Sequence, residues 1–193
     1  GNPEFSGATV VDPDGVLARS AKIAKHADKL FSKFDVIAPS GSQADRIVAV
    51  GLGKPSEMVA NDWLRLGGVI ASAAGSAERI AIFVDTPGLT ITGKQAADIA
   101  LGMTLRGYKF DKYKSKKSDD DQASATKAAK VTIVTTSSIT AKRIYEASEG
   151  LAEGVILARN LVNEPANVLG PSEFAAKAKE LEKLGVQVEI LTE

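Results

Sequence analysis

The stretch that decides the fold is A-R-N-L-V-N-E-P-A-N-V-L-G-P, residues 158–171. Upstream apolar residues recur at the spacing of one helix face: Leu151, Val155, Ala158 and Val162. Pro165 lacks a backbone N–H and disfavours a helical conformation in the residue before it, so the helix should end near Asn163. Gly170 can cap a following helix, and Pro171 suits its first position because its φ is already fixed. These residues predict a sharp joint between two packed units.

Three sequence blocks carry a resemblance to one protein family. They are A-E-G-V-I-L-A-R-N-L-V-N-E-P-A-N-V-L-G-P (152–171), G-Y-K-F-D-K-Y-K-S-K-K (107–117) and D-R-I-V-A-V-G-L-G-K (45–54). In their order along the chain they resemble the leucyl aminopeptidase family, also called cytosol aminopeptidases, and the resemblance extends over roughly residues 34–193. It implies an amino-terminal domain, a connector and the opening of a catalytic domain whose remainder is missing.

The resemblance also implies an activity. The parent protein would be a metallopeptidase that removes N-terminal residues such as leucine from peptides, with two divalent cations, manganese or zinc, that activate a water molecule. The family's metal and catalytic motifs, a block bearing Lys and Asp and an N-T-D-A-E-G-R-L block, do not occur in these 193 residues. We therefore expect no catalytic, cofactor-binding or metal residue here. The family further implies a hexamer, with the chain's own catalytic domain as a partner.

The composition limits the class of protein. A length of 193 residues fits one domain, or one domain and a fragment. The 24 basic residues balance the 24 acidic ones, so no net charge attracts the chain to nucleic acid or to an anionic membrane. There is no cysteine, and therefore no disulfide or thiolate metal site. No apolar run approaches the roughly 18 residues of a membrane span, and no signal peptide is visible. We expect a cytoplasmic location.

Apolar runs typical of buried strands alternate with stretches of helical periodicity. The predicted strands are residues 8–11, 34–38, 46–52, 79–84, 131–135 and 186–190. The predicted helices cover residues 17–31, 56–74 with Ser56 as the cap, 92–108 with Thr92 as the cap, 138–163 after Ser137 or Ser138, and 171–184 before Gly185. This alternation indicates an α/β fold with a mostly parallel sheet flanked by helices on both faces. The family resemblance implies the same arrangement, in a macro-like domain.

The elements predict a division into four segments. Residues 1–5 resemble a cloning remnant, 6–137 form the amino-terminal macro-like domain, 138–170 the connector helix and joint, and 171–193 the truncated start of the catalytic domain. The last segment carries an apolar helix face that includes Phe174 and Leu181. Because an exposed large apolar side chain forgoes about 1.5–3 kcal/mol, we expect these two side chains to be buried, either on the connector helix or on a neighbouring molecule.

One loop resembles a phosphate-binding motif. Residues 51–56, G-L-G-K-P-S, follow a predicted strand and precede a predicted helix, which is where phosphate loops lie. However, Pro55 separates Lys54 from Ser56, and the third glycine of the dinucleotide fingerprint is absent. The sequence favours a tight turn. Binding of a small ligand or nucleic acid by a macro-like module stays the alternative function.

A second stretch interleaves basic and aromatic residues, as some nucleic-acid-binding proteins do. Its members are Tyr108, Lys109, Phe110, Lys112, Tyr113, Lys114, Lys116 and Lys117. The carboxylates of Asp111 and of residues 119–121 lie within about one Debye length, 8 Å, and offset much of the positive charge. The sequence predicts a solvated loop whose aromatic side chains lie against the core, and it argues against nucleic acid as a partner.

Three further candidates have simpler interpretations. His26 is the only histidine, and a metal site needs several converging ligands, so we expect a surface residue. Asp85 follows a predicted strand but begins a turn sequence. Asn163 and Glu164 lack a nearby carboxylate or metal for acid–base chemistry, and we expect them to hold the joint through hydrogen bonds to backbone groups that Pro165 leaves free.

Overall fold

The computed structural model describes residues 11–26, 29–84, 89–114 and 129–191 of the chain. Its helices are Val16–Ile23 (α1), Ala60–Ala74 (α2), Gly93–Arg106 (α3), Ser138–Asn163 (α4) and Pro171–Lys179 (α5), with 3-10 turns at Pro55–Glu57 and Glu180–Leu184. Its strands are Lys33–Ile37 (β1), Arg46–Val50 (β2), Arg79–Phe83 (β3) and Lys130–Val134 (β4). The α/β class predicted from the sequence is confirmed.

The described strands form two separate pairs. β1 and β2 are antiparallel, with Lys33 opposite Val50, and β3 and β4 are parallel, with Arg79 beside Lys130. A single, mostly parallel sheet is therefore not confirmed. The antiparallel pairing follows from the link between β1 and β2, residues 38–45, which is shorter than the dozen or so residues that a parallel crossover needs.

The core lies where α2 and α3 pack against β3. Its buried side chains are Trp63, Leu66, Ile82, Val84, Ile91, Ala96, Ile99 and Met103. In the sequence, Val59, Trp63, Leu66 and Ile70 recur at the spacing of one helix face. Trp63 and Leu66 are buried, but Val59 is 61% exposed because it precedes the first helical residue.

Two glycines allow α2 and α3 to approach closely. A β-carbon on Gly67 would collide with the carbonyl oxygen of Ile99, and one on Gly102 would collide with the carbonyl oxygen of Leu64. The helices are thus in backbone contact where they cross, at a distance that only glycine permits at these positions.

The start of α2 differs from the prediction. Residues 55–57 form a 3-10 turn, and the α-helix begins at Ala60 instead of Ser56. The cap is a carboxylate, since Asp62 Oδ2 accepts a hydrogen bond of 3.1 Å from Val59 N. In α3 the predicted cap is confirmed: Thr92 Oγ1 accepts from Gln95 N at 3.3 Å. Gly75, with φ at +62°, ends α2 as expected.

The connector helix and the joint follow the sequence closely. α4 runs from Ser138 to Asn163, and Pro171 occupies the first turn of α5 after Gly170, so these predicted boundaries are confirmed. Among the described residues, no helix combines the length and apolar character that a membrane span requires.

The two ends of the chain depart from the predictions. Residues 186–191 form no strand with any described residue, and Leu191 is 85% exposed. A strand needs a partner, so the predicted strand at 186–190 is wrong for the chain by itself. Phe174 is 54% exposed, so it is not buried against the connector helix as the sequence predicted. The predicted strand at 8–11 lies outside the described residues except for Val11, which is helical.

Candidate functional site

The basic and aromatic segment, residues 108–114, lies against the end of the connector helix. Lys112 Nζ donates a hydrogen bond of 2.6 Å to Glu164 Oε1, and the Tyr113 hydroxyl donates a short one to Glu164 Oε2. Both oxygens of the carboxylate are therefore engaged, and only 13% of the Glu164 side chain is exposed.

A second group of contacts lies beside the first. Asn163 Nδ2 donates to the Tyr108 hydroxyl at 3.1 Å, and the Arg159 guanidinium lies 5.2 Å from the centre of the Tyr108 ring. Arg159 also donates at 2.9 Å to the carbonyl of Leu105, in the last turn of α3, where a cation favours the helix dipole. We name the whole set the joint clamp. Its members are Tyr108, Lys112, Tyr113, Arg159, Asn163 and Glu164.

The clamp stabilises particular protonation states. The hydrogen bond from Lys112, followed by that from Tyr113, lowers the pKa of Glu164 below its ordinary value of 4.5. The bond to Glu164 in turn raises the pKa of Lys112 above 10.5 and the pKa of Tyr113 above 10.0. Glu164 and Lys112 are thus charged and Tyr113 is neutral across the physiological range.

These pKa directions decide what chemistry Glu164 can perform. A general base works best with a pKa near the operating pH and with a free lone pair directed at the substrate. Glu164 has a lowered pKa, and both of its oxygens are occupied. The arrangement positions two parts of the chain relative to each other and is not suited to proton transfer.

The sequence predicted a holding role for Asn163 and Glu164 but assigned it to other partners. Asn163 does bind a backbone group, the carbonyl of Arg159, at 2.8 Å. The carbonyl of Leu161, which a non-proline residue at position 165 would have bonded, is instead approached by the backbone N–H of Glu164 at 3.3 Å. The Glu164 carboxylate binds Lys112, which lies 52 residues earlier. No local sequence pattern reveals such a distant partner.

The prediction for the basic segment is wrong in one respect. Tyr108 and Tyr113 contact the connector helix rather than the core, and Tyr113 is 50% exposed. The other predicted members of this segment, Lys116, Lys117 and residues 119–121, lie outside the described residues.

An open cleft of about 510 Å³ adjoins the clamp. Its lining includes the apolar side chains of Leu157, Leu161 and Leu169 and charges of both signs, among them Lys177 and Glu173. Such a mixed lining favours neither anions nor cations. In the part of the chain that the structure describes, no group of three or more His, Cys, Asp or Glu side chains could hold a metal ion.

The loop at residues 51–56 is a turn, as the sequence favours. Gly53 has φ at +59°, a conformation that few other residues adopt. The N–H groups that follow are used locally, since Glu57 N donates to the carbonyl of Lys54 at 2.9 Å. The Asp62 carboxylate occupies the N-terminus of α2, where a phosphate would otherwise be attracted.

The remaining candidates have local surroundings. His26 is half-buried rather than fully on the surface; its ring centre lies 5.3 Å from that of Phe34, and Nε2 is 3.4 Å from Ser32 Oγ. Asp85 lies outside the described residues.

A family model and several known proteins match this chain. Residues 4–117 match the model described as cytosol aminopeptidase family, N-terminal domain. A probable cytosol aminopeptidase of Rhizobium meliloti (strain 1021) is 58% identical over 193 residues, all of this chain and 39% of the relative. Another, of Sinorhizobium medicae (strain WSM419), is 56% identical over the same shares of the two chains. The chain therefore spans about two fifths of the length of these curated relatives.

A solved structure extends the likeness to three dimensions. A mutant of tomato leucine aminopeptidase matches 90% of this chain with a TM-score of 0.70 and 27% sequence identity, and the match covers 33% of the tomato chain. The matched region includes most of the elements described above.

Proposed function

Because the chain belongs to the cytosol aminopeptidase family and carries its N-terminal domain, we propose that it is the non-catalytic part of a metal-dependent leucyl aminopeptidase. The observation that carries this proposal is the extent of the match: all of the chain aligns at 58% identity with only 39% of a probable cytosol aminopeptidase. The longer protein would release N-terminal residues from peptides, and this part would contribute structure and not chemistry.

The proposed division of the chain follows the joint. Residues 6–137 would form a macro-like domain, 138–170 the connector and joint, and 171–193 the opening of the catalytic domain. In support, α4 ends at Asn163 and a new helix begins at Pro171, with only a short link between them. The exposed side chains of Phe174, Leu184 and Leu191 would then be covered by the catalytic domain.

The joint clamp suggests what the N-terminal part does for the enzyme. It attaches the residues that follow α3 to the end of the connector helix through Lys112 and Glu164 at one point, and through Tyr108 and Asn163 at another. Two separate attachments fix both the position and the direction of the chain as it leaves α4. The N-terminal part would thereby set the orientation of the catalytic domain.

The requirements of the longer protein are also proposals. Two divalent cations, manganese or zinc, would be held by residues outside this chain, because the metal-binding motifs of the family do not occur in its sequence. The enzyme would assemble as a hexamer and act in the cytoplasm. Nucleic acid is not proposed as a partner of a chain with 24 basic and 24 acidic residues.

The test compares this chain with the longer protein that contains it. Both are purified identically and assayed for hydrolysis of leucine p-nitroanilide with added manganese or zinc. We expect turnover from the longer protein and none from the 193-residue chain. The assignment of a non-catalytic role would be overturned by turnover that co-purifies with the short chain through two different columns. The assignment of the activity would be overturned by a longer protein that is folded and loaded with metal but inactive.

A further inference from the structure

A second open cleft, of about 430 Å³, lies between the start of β1, one face of α2 and the end of α3. Three cationic side chains line it, Lys33, Arg65 and Arg106, and no acidic side chain does so among the described residues. The chain as a whole has no net charge, so this concentration of positive charge is a local feature and does not reflect a generally basic surface.

The geometry of α2 explains how the cleft forms. Arg65, Gly68 and Ser72 follow one another at three- and four-residue spacing, so they lie on one face of the helix. A β-carbon at Gly68 would lie 3.9 Å from Arg106 Cβ, so any longer side chain there would fill the space between the two helices. The glycine keeps the floor of the cleft open.

Arg65 is held in place before any ligand arrives. Its guanidinium lies 4.8 Å from the centre of the Phe31 ring, and its Nη1 donates to Asp62 Oδ1 at 3.2 Å. Because two contacts already fix the guanidinium, binding a ligand through its remaining N–H groups costs less conformational entropy. The side chain is still 59% exposed, so a ligand can reach it. The carboxylate of Asp62 also accepts the N–H of Val59, so its charge is shared between two donors.

We propose that this cleft binds a small ligand that carries phosphate groups. A phosphate monoester has a charge of about −1.5 to −2 at neutral pH and three acceptor oxygens, whereas a carboxylate has one charge and two oxygens. Three cations around one small cleft match the phosphate better. The half-charge at the C-terminus of α3 opposes an anion near Arg106, and the charges of Lys33, Arg65 and Arg106 offset it.

The site is separate from the loop that resembles a phosphate-binding motif. That loop, residues 51–56, leads into a helix N-terminus which Asp62 already caps. The cleft is also separate from the joint clamp, with which it shares no residue. The proposal therefore does not depend on the peptidase activity proposed above.

The experiment uses the 193-residue chain and inorganic pyrophosphate as the probe. Binding is followed by calorimetry and by amide chemical shifts at low and at high salt. We expect saturable binding that weakens with salt, and shifts centred on residues 65–72 and Arg106. Lys33→Gln combined with Arg106→Gln should weaken binding about tenfold or more, because each removes a charge-assisted hydrogen bond. Gly68→Leu should also weaken it, by filling the cleft without changing any charge.

The matched control is Lys179→Gln combined with Arg143→Gln, which removes the same charge from residues that do not line the cleft. We expect this control to bind pyrophosphate as the unaltered chain does. Any one of three results would overturn the proposal. They are the absence of saturable pyrophosphate binding, an equal loss of affinity in both double variants, and binding of hexaglutamate but not of pyrophosphate.

Discussion

Lys112 Nζ lies 2.6 Å from Glu164 Oε1, although 52 residues separate the two in the chain. The contact joins the segment after α3 to the residue that follows α4, and Asn163 binds Tyr108 beside it at 3.1 Å. The function proposed for this domain depends on that attachment. The attachment itself can be tested in this chain, without the rest of the enzyme.

Glu164→Gln should release the basic segment. Glutamine has the same size but no charge, so the hydrogen bonds from Lys112 and Tyr113 lose their charge assistance. We expect faster amide exchange in residues 108–114, measured by mass spectrometry, with unchanged exchange in α3. Glu180→Gln is the control, because its partner Lys177 is only three residues away. Equal exchange in the variant and the unaltered chain would show that Glu164 does not hold the segment.

The clamp should also respond to pH at both extremes. The pKa of Glu164 is lowered by folding, so its contribution is complete above the ordinary value of 4.5 and is lost as the pH falls through the lowered value. The pKa of Tyr113 is raised by folding, so its contribution is complete below 10.0 and is lost as the pH rises through the raised value.

We therefore expect residues 108–114 to be equally protected against amide exchange at every pH between 4.5 and 10.0, once the exchange rates are corrected for their intrinsic dependence on pH. Protection should fall below and above that range. In Glu164→Gln the fall on the acid side should disappear. A fall near neutral pH would mean that another group controls the segment.

Alanine at either crossing glycine should destabilise the fold. The β-carbon of Gly67→Ala would meet the carbonyl of Ile99, and that of Gly102→Ala the carbonyl of Leu64. We expect a loss of about 1–3 kcal/mol in the free energy of unfolding, measured with urea, although alanine favours helices. Gly150→Ala is the control, since nothing lies within 4 Å of its new β-carbon, and it should gain about 0.5–1 kcal/mol. Equal effects at the three positions would contradict the close crossing.

Asp62→Ala should remove the cap of α2. The variant loses the hydrogen bond from Val59 N and the contact with Arg65. We expect the free energy of unfolding to fall by about 1 kcal/mol, as for other helix caps. Glu57→Ala, whose carboxylate pairs with Lys54 in an exposed position, should change it by less than about 0.5 kcal/mol. If both variants behave alike, Asp62 is not the cap.

The C-terminal segment should make the chain associate with itself. Phe174, Leu184 and Leu191 are 54%, 79% and 85% exposed. Exposed large apolar side chains favour contact between molecules. We expect light scattering to show dimers or larger species that increase with concentration, and a chain that ends at Gly170, with the clamp intact, to stay monomeric. A strictly monomeric long form would contradict this expectation.

The parts of the fold that the sequence predicted are those that local chemistry decides. Pro165 cannot donate a helical hydrogen bond, and Pro171 has a preset φ, so the end of α4 and the start of α5 could be located to the residue. Thr92 caps α3 for the same kind of reason, since its partner Gln95 is three residues away.

The parts that the sequence could not supply depend on contacts between distant residues. The sequence placed the start of α2 at Ser56, but Ser56 lies within the 3-10 turn Pro55–Glu57, and the α-helix begins only after Val59, whose N–H binds Asp62. Nothing in the spacing of Gly67 and Gly102 shows that the two helices touch there. The cluster of cations at Lys33, Arg65 and Arg106 likewise exists only once β1, α2 and α3 are in place.

The long separation between Lys112 and Glu164 has a consequence for the order of folding. Closing a loop of 52 residues costs conformational entropy before the contact returns any free energy, whereas the turns of α2 and α3 close over four residues at a time. We expect the helical core to form first and the end of the connector to attach last. The same attachment should then be the first to open in the native protein, so that α4 can detach from residues 108–114 while Trp63 and Ile99 stay buried.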